Sequence, residues 1–315
     1  IGVNALLPSG TGNLQLSIGN LIFGTLPATT TSTGDAELPT SGLVGIGTTS
    51  PYAKLSIGIN NGDTTRTLFA IASSTATATS TLFSILNTGV AEFRPYSLLG
   101  SAFIGSDAGR NATNATDSHF FGREAGIDAT DAQYATFIGY QAGAYATSSQ
   151  FSNFFGAQAG FGAYSATSAN FLGTSAGSGA TGAVASNFIG FQAGYGATDA
   201  QYSNFFGFQA GAAATSSVGS NFFGASAGAS ATYAASSNFF GTGAGTNAVN
   251  ASASNFFGDN AGHDAATANN SIFIGYHAGL SDLVDNTGGG KSSILIGDYT
   301  STGGFSNSIA IGQGT

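Results

Sequence analysis

The chain has 315 residues, of which only 7% are charged, and six Lys and Arg residues against fifteen Asp and Glu give a formal net charge of −9. The negative net charge, together with the absence of Lys and Arg between Arg123 and Lys291, argues against a nucleic-acid partner. The absence of Cys excludes disulfides and thiolate chemistry. No apolar run reaches the roughly 18 residues that a membrane-spanning helix needs, so we expect no membrane span.

Residues 1–95 are predicted to form an irregular β region. Gly, Thr, Ser, Pro or Asn-Gly separate five short apolar segments, a pattern typical of strands and turns: Leu14–Phe23, Val44–Ile46, Lys54–Ile59, Leu68–Ala72 and Leu82–Leu86. The related sequences Leu68–Ile71 and Leu82–Ile85 predict either a β-hairpin or two successive strands. We expect this region to cap the repeats that follow or to dock onto another subunit, because the end of a repetitive sheet is otherwise an open edge.

Residues 96–280 contain eleven copies of one 17-residue unit. Glycine recurs at every seventeenth position from Gly105 to Gly275, and a second glycine follows four residues after each of these. The unit reads Ser-Asn-Phe-(Phe or Ile)-Gly-x-x-Ala-Gly-x-x-Ala-Thr, followed by four variable residues. A 17-residue period is too short for a helix-turn-helix repeat, and this density of Gly, Asn, Ser and Thr disfavours helices.

The repeat therefore predicts an all-β fold, a parallel β-solenoid (β-roll) of eleven 17-residue coils, in which each coil pairs with the next about 4.8 Å along the axis. Residues 281–315 are interpreted as degenerate C-terminal coils. Because equivalent residues of successive coils lie above one another, the recurrent residues form columns. We predict a Phe column, a Gly column and an Asn column: Phe137, Phe154, Phe171, Phe188, Phe205, Phe222, Phe239 and Phe256; Gly139, Gly156, Gly173, Gly190, Gly207, Gly224, Gly241 and Gly258; and Asn153, Asn170, Asn187, Asn204, Asn221, Asn238 and Asn255.

Two adjacent apolar residues precede the first glycine of each copy. Successive side chains of a strand point to opposite faces of the sheet, so one of the two fills the interior and the other lies outside. Eleven outer apolar residues in line exceed the apolar surface that soluble monomers expose. The simplest cover is a second copy of the chain, and we expect a homo-oligomer, specifically an intertwined homotrimer.

Several segments resemble known fibre proteins. Asn187–Tyr195 and Phe137–Gly143 resemble repeats of phage tail fibres and related bacterial surface proteins. Ser308–Gly312 resembles the head repeat of trimeric autotransporter adhesins, and Val44–Ile57 resembles a segment of long fibre proteins that often end in a self-cleaving chaperone domain. The resemblance implies a homotrimeric rod that is extracellular, on the cell surface, or borne on a virion.

No pattern in the sequence predicts catalysis, a cofactor or a metal. His119, His263 and His277 fall at different repeat positions, so a site built from all three is not expected. A calcium site is conceivable among the acidic residues of the first coils, although the usual Gly-rich nonapeptide is missing: Asp107, Asp117, Glu124, Asp128 and Asp131. Gly290-Lys291-Ser292 lacks the upstream glycine of a phosphate-binding loop and is interpreted as a linker.

The sequence thus predicts a non-enzymatic structural subunit of an extracellular fibre or filament, with adhesion as an additional role. The alternative is the shaft of a phage tail fibre that serves host receptor binding. The expected partners are further copies of the chain, as a homotrimer and as an end-to-end filament, together with a cell-surface glycan or receptor. In the filament, strands near Ile1 are expected to complete the coil-like segment Ile309–Thr315 of the next subunit.

Overall fold

The computed structural model describes residues 100–284 and 292–314 throughout, and upstream of them seven strands together with residues 48, 52–54 and 58. The chain divides into two compact units, Ile1–Tyr96 and Ser97–Thr315. Every regular element in the described residues is a β-strand, and no helix is present among them that could span a bilayer.

The first unit contains two small sheets. One sheet consists of β1 (Gln15–Ile18), β2 (Ile22–Thr25), β3 (Leu43–Ile46) and β4 (Leu55–Ile57), and all of its pairings are antiparallel except that of β3 with β4. The other consists of β5 (Thr67–Ser74), β6 (Thr79–Leu86) and β7 (Ala91–Phe93), paired antiparallel.

Two of the predictions for this unit have clear outcomes. The hairpin prediction for the duplicated Leu-Phe sequences is confirmed, because β5 pairs antiparallel with β6. The prediction of strand structure in Leu14–Phe23 is also confirmed, because this segment contains β1 and the start of β2, two separate strands that pair with each other in opposite directions. Gly19 and Asn20, which lie between the two strands, are residue types that favour chain reversal.

The second unit is an all-β parallel β-solenoid, as the 17-residue period predicts. Its 13-stranded sheet runs without interruption in chain order, so the strands are joined by twelve successive coils. The strands are β8 (Ala102–Ile104), β9 (His119–Phe121), β10 (Thr136–Ile138), β11 (Asn153–Phe155), β12 (Asn170–Leu172), β13 (Asn187–Ile189), β14 (Asn204–Phe206), β15 (Asn221–Phe223), β16 (Asn238–Phe240), β17 (Asn255–Phe257), β18 (Ile272–Ile274), β19 (Ile294–Ile296) and β20 (Ile309–Ile311).

The register of the sheet follows the repeat. Each residue of β10 pairs with the residue 17 positions later in β11, as Phe137 does with Phe154. The same step continues to β18, and β19 and β20 from the degenerate C-terminal segment extend the sheet by two further strands. A second line of contact, formed by isolated parallel bridges such as Thr198 to Thr215, joins the coils on another side.

The interior of the solenoid is narrow and consists of columns of Phe, Ala and Ser. The middle residue of each strand from β9 to β18 is a fully buried Phe, and successive rings stack in parallel, as Phe205 and Phe222 do with centroids 4.7 Å apart. Three Ala positions per coil complete most of the core, as Ala193, Ala197 and Ala200 do in one coil. Small residues are needed there because one aromatic ring per coil already occupies much of the available width.

Tight corners close each coil, and they occur where the backbone adopts positive φ. In the coil that begins at Asn187, Gln192 and Asp199 have φ of 54° and 48°, and Tyr202 has φ of 56°. Non-glycine residues rarely adopt this conformation, which costs roughly 1 kcal/mol each. Hydrogen bonds to the preceding coil offset the cost, for example from the N–H of Gln192 to the carbonyl of Thr174 at 2.9 Å.

Candidate functional site: the outer face of the solenoid sheet

The outer face of the sheet is a regular surface that runs along all the coils of the solenoid. We define the outer face as the first and third residues of strands β8–β20, whose side chains point away from the core. The third residues form an apolar column: Ile104, Phe121, Ile138, Phe155, Leu172, Ile189, Phe206, Phe223, Phe240, Phe257, Ile274, Ile296 and Ile311. The first residues are Asn in seven consecutive strands, from β11 to β17.

Exposure differs sharply between the two apolar residues of each strand. Phe154 is fully buried, whereas its neighbour Phe155 retains 37% of its accessible surface. In the last of the eleven repeat copies, the outer residue Ile274 retains 40% of its accessible surface. The alternation of faces along each strand thus leaves one apolar side chain per coil in contact with solvent in the single chain.

Aromatic rings stack along part of this outer apolar column. The rings of Phe206 and Phe223 have centroids 4.7 Å apart, and those of Phe223 and Phe240 are 4.8 Å apart. Phe257 continues the stack at 5.2 Å from Phe240. The spacing of the coils therefore fixes four outer rings in one rigid row.

The Asn side chains of the outer face form a hydrogen-bonded column beside the apolar one. From Asn153 to Asn238, each Nδ2 donates to the Oδ1 of the Asn 17 residues later, for example from Asn187 to Asn204 and from Asn204 to Asn221, both at 2.8 Å. An amide carries two N–H donors, and the column uses one of them. The Asn side chains are thus ordered along the axis, as expected for stacked amides.

The outer face has little charge. Apart from His119, no titratable residue occupies the first or third position of any strand from β8 to β20. A copy of the same surface could approach without charge repulsion, because no like charges would meet.

Other residues that the sequence singled out do not converge on one site. His263 lies with its Nδ1 2.9 Å from Oδ2 of Asp264, and His277 packs against Tyr276 and Tyr299. His119 lies at the opposite end of the sheet, on β9. Ser292 donates its N–H to Asn307, whereas Gly290 and Lys291 lie outside the described residues.

Four of the five acidic residues that the sequence singled out in the first coils have different polar neighbours. Asp107 pairs with Arg110 at 3.1 Å, and Asp128 and Asp131 accept hydrogen bonds from Asn111 and Asn114, respectively. Glu124 accepts a hydrogen bond from Gln141 at 2.6 Å. Within the described part of the chain, no group of three or more His, Asp or Glu residues has a geometry that could hold a metal ion.

Sequence reasoning missed a column of buried Ser residues, each directly before the first residue of a strand. Ser203 Oγ donates to the carbonyl of Ser217 at 2.6 Å and accepts from the N–H of Ser220 at 3.1 Å. Equivalent Ser residues repeat this arrangement along the solenoid: Ser118, Ser152, Ser186, Ser220, Ser237 and Ser254. The recurrence of Ser before Asn in the repeat is the signal that could have identified it.

Comparisons of the chain with protein-family models, with curated proteins and with solved structures find no match. The resemblance to tail fibres and adhesin heads therefore rests on the short repeat segments alone. The parallel β-solenoid rests on the structure itself, through the continuous register of β8–β20.

Proposed function

We propose that the protein is a structural subunit of an extracellular fibre or filament, and that three copies associate side by side through the outer face. The observation that carries the proposal is the uncharged, half-exposed apolar column beside an ordered Asn column. A soluble single chain rarely leaves so long a row of large apolar side chains uncovered.

The dimensions of the outer face support pairing between copies. Twelve steps of about 4.8 Å give a strip about 58 Å long, and two side-chain columns make it about 10 Å wide. The product is of the order of the ~800 Å² per partner that stable interfaces bury. The rigid rows of rings and amides also lose little conformational entropy on association, which favours binding.

The axial construction supports a mechanical role. Each coil is joined to its neighbours by sheet hydrogen bonds, stacked Phe rings and amide-to-amide hydrogen bonds that all follow the same axis. Repeat proteins of this kind gain stability from neighbour contacts and extend by adding units. No catalytic role is part of the proposal.

A phage tail-fibre shaft is the second candidate, favoured by exposed aromatic rings that vary from coil to coil. Tyr164, Tyr202 and Tyr233 occupy three different corner positions and each retains about 60% of its accessible surface. Exposed tyrosines are frequent in surfaces that recognise other molecules. In this candidate, the shaft presents a binding surface for a host receptor or glycan.

Negative-stain electron microscopy of the intact protein tests the structural proposal. The expected result is rods that join into long filaments of constant width, as an appendage requires. Discrete rods that do not lengthen with protein concentration would favour the shaft, and globular particles without rods would overturn both candidates.

A pair of matched variants tests whether copies of the chain associate through the outer face. Substituting Phe206, Phe223 and Phe240 by Ser removes three rings of the outer apolar column and is expected to disperse the multi-chain rods into single chains. The control substitutes Tyr202 and Tyr233 by Ser, which removes exposed rings from the corners and should leave the rods unchanged. Equal behaviour of the two variants would contradict the assignment of the interface to the outer face.

A further inference from the structure

A second group of side chains, separate from the outer face, lies at the corner that follows strands β17, β18 and β19. Asp259, Tyr276 and Asp298 each come directly after the glycine that ends one of these strands, so they occupy the same position in three successive coils. Tyr299 follows Asp298. Tyr276 and Tyr299 retain 45% and 53% of their accessible surface, so both rings are open to solvent.

The two tyrosine rings form the walls of an angled surface. Their planes meet at 79° with centroids 5.4 Å apart, and the His277 ring packs against both. Perpendicular aromatic rings present their electron-rich faces in two directions, and such faces attract cations.

The corner carries negative potential that the chain itself does not neutralise. The side-chain hydrogen bond with Tyr299, then desolvation and the negative charges of Asp259 and Asp298, raise the pKa of Tyr276 above its ordinary value. Asp259 accepts a hydrogen bond from Asn260 at 2.6 Å. Among the described residues, no Lys, Arg or His forms an ion pair with Asp259 or Asp298.

The same position of the repeat holds a cation near the other end of the solenoid. Arg123 and Tyr140 directly follow the glycines that end β9 and β10. The guanidinium carbon of Arg123 lies 4.4 Å from the centroid of the Tyr140 ring, and its Nη1 lies 3.9 Å from Glu124. At this corner, the distance between two successive coils therefore allows a guanidinium group to lie over a tyrosine ring and beside a carboxylate.

We propose that the corner formed by Asp259, Tyr276, Asp298 and Tyr299 binds a guanidinium group of another molecule, namely an arginine side chain of a peptide or protein partner. The arginine lies over the tyrosine rings, as Arg123 does over Tyr140, and its charge is balanced by the two carboxylates. This site provides the structural subunit with an attachment point for a basic partner, and it does not depend on the association of copies through the outer face.

Saturation-transfer NMR on the intact protein tests the proposal with N-acetyl-arginine amide as the probe and its citrulline analogue as the uncharged control. Transfer to the arginine probe is expected, and transfer to the citrulline analogue is expected to be at least fivefold weaker. Tyr276→Ala should weaken arginine binding about tenfold, whereas Tyr276→Phe, which keeps the ring, should retain it. Asp298→Asn should weaken it by a smaller factor.

Tyr233→Ala serves as the matched control, because Tyr233 is an exposed tyrosine at another corner and retains 61% of its surface. It should bind the probe as the natural sequence does, and circular dichroism establishes that each variant is folded. The proposal is overturned by absent transfer to the arginine probe, by equal transfer to the citrulline analogue, or by unchanged binding in Tyr276→Ala. The oligomeric state of the same samples tests the fibre proposal independently, so a failure of arginine binding can be distinguished from a failure of that proposal.

Discussion

Two glycines of each repeat copy are required for different physical reasons. Gly207, which ends a strand, has φ of +140°, and a Cβ there would lie 2.5 Å from the carbonyl oxygen of Gly224 in the next coil. Gly211 has φ of +62°, and its Cβ would lie 2.2 Å from the ring of Phe205. One glycine lets two coils approach and the other accommodates the core ring, which explains why both recur without exception.

Replacing Gly207 by Ala should therefore lower the free energy of unfolding by on the order of 4 kcal/mol, because two backbones would have to move apart. Gly196→Ala is the control, since Gly196 also has positive φ but a Cβ there meets nothing within 4 Å, and Ala213 adopts the same conformation one coil later. This control should cost about 1 kcal/mol. Denaturant unfolding followed by circular dichroism measures both, and equal costs would contradict the account of coil contact.

The two Phe residues of one strand should respond differently to truncation. Phe222→Ala removes a fully buried ring from between Phe205 and Phe239 and should cost about 3–5 kcal/mol of unfolding free energy. Phe223→Ala removes an outer ring, and its cost should be less than half as large in the single chain. Unfolding midpoints of the two variants, measured at concentrations where the protein is monomeric, test this prediction. A larger cost for Phe223→Ala than for Phe222→Ala would contradict the assignment of Phe222 to the core and Phe223 to the outer face.

At the scale of the elements, the strands could be predicted because a short apolar segment recurs between Asn and Gly at a fixed spacing. The alternation of faces along a strand predicted that one of the two adjacent apolar residues points inward, but it did not identify which one. The sequence does distinguish the two positions, because the inner position is Phe in every copy from Phe103 to Phe273, whereas the outer position varies among Phe, Ile and Leu. The inner ring packs over a glycine of its own coil, as Phe205 does over Gly211, whereas the degenerate strands β19 and β20 carry Leu295 and Ala310 at the inner position.

The buried Ser column was not predicted. The role of Ser203 depends on the carbonyl of Ser217 and the N–H of Ser220, which reach it only after the coils have stacked. The recurrence of Ser before Asn marks the position in the sequence, but the residue type alone does not indicate that it is buried. The outer face as a candidate site was predictable from the repeat, whereas the Tyr276 corner was not, because it combines residues from three coils.

The Asn column should be directional. Asn204 both accepts from Asn187 and donates to Asn221, so Asn204→Asp removes the donor and sets two oxygens against each other. This variant should lose about 1–2 kcal/mol of unfolding free energy at neutral pH. Asn255 only accepts within the column, since Ile272 follows it, so Asn255→Asp is the control and should cost little. Thermal unfolding of the two variants tests this, and equal losses would show that the column does not contribute as described.

At the scale of the whole molecule, the solenoid should tolerate changes in whole units. Deleting residues 204–220 joins Ser203 to Asn221, preserves the repeat and brings Phe222 above Phe188. The variant should unfold cooperatively with a circular dichroism spectrum like that of the full chain. Deleting only residues 204–211 shifts the register of every later coil and should abolish cooperative unfolding. Similar spectra and transitions for the two deletions would contradict a fold built from stacked, interchangeable coils.

The central claim is that copies of this chain cover one another's outer face to form a multi-chain rod. Sedimentation equilibrium of the intact protein at micromolar concentration tests it most directly, with a chain mass of 31.0 kDa as the reference. The account predicts a mass of three chains, or a multiple of three chains where rods join end to end, and this mass falls to the single-chain value when Phe206, Phe223 and Phe240 are replaced by Ser. A single-chain mass for the natural sequence at every concentration would contradict it.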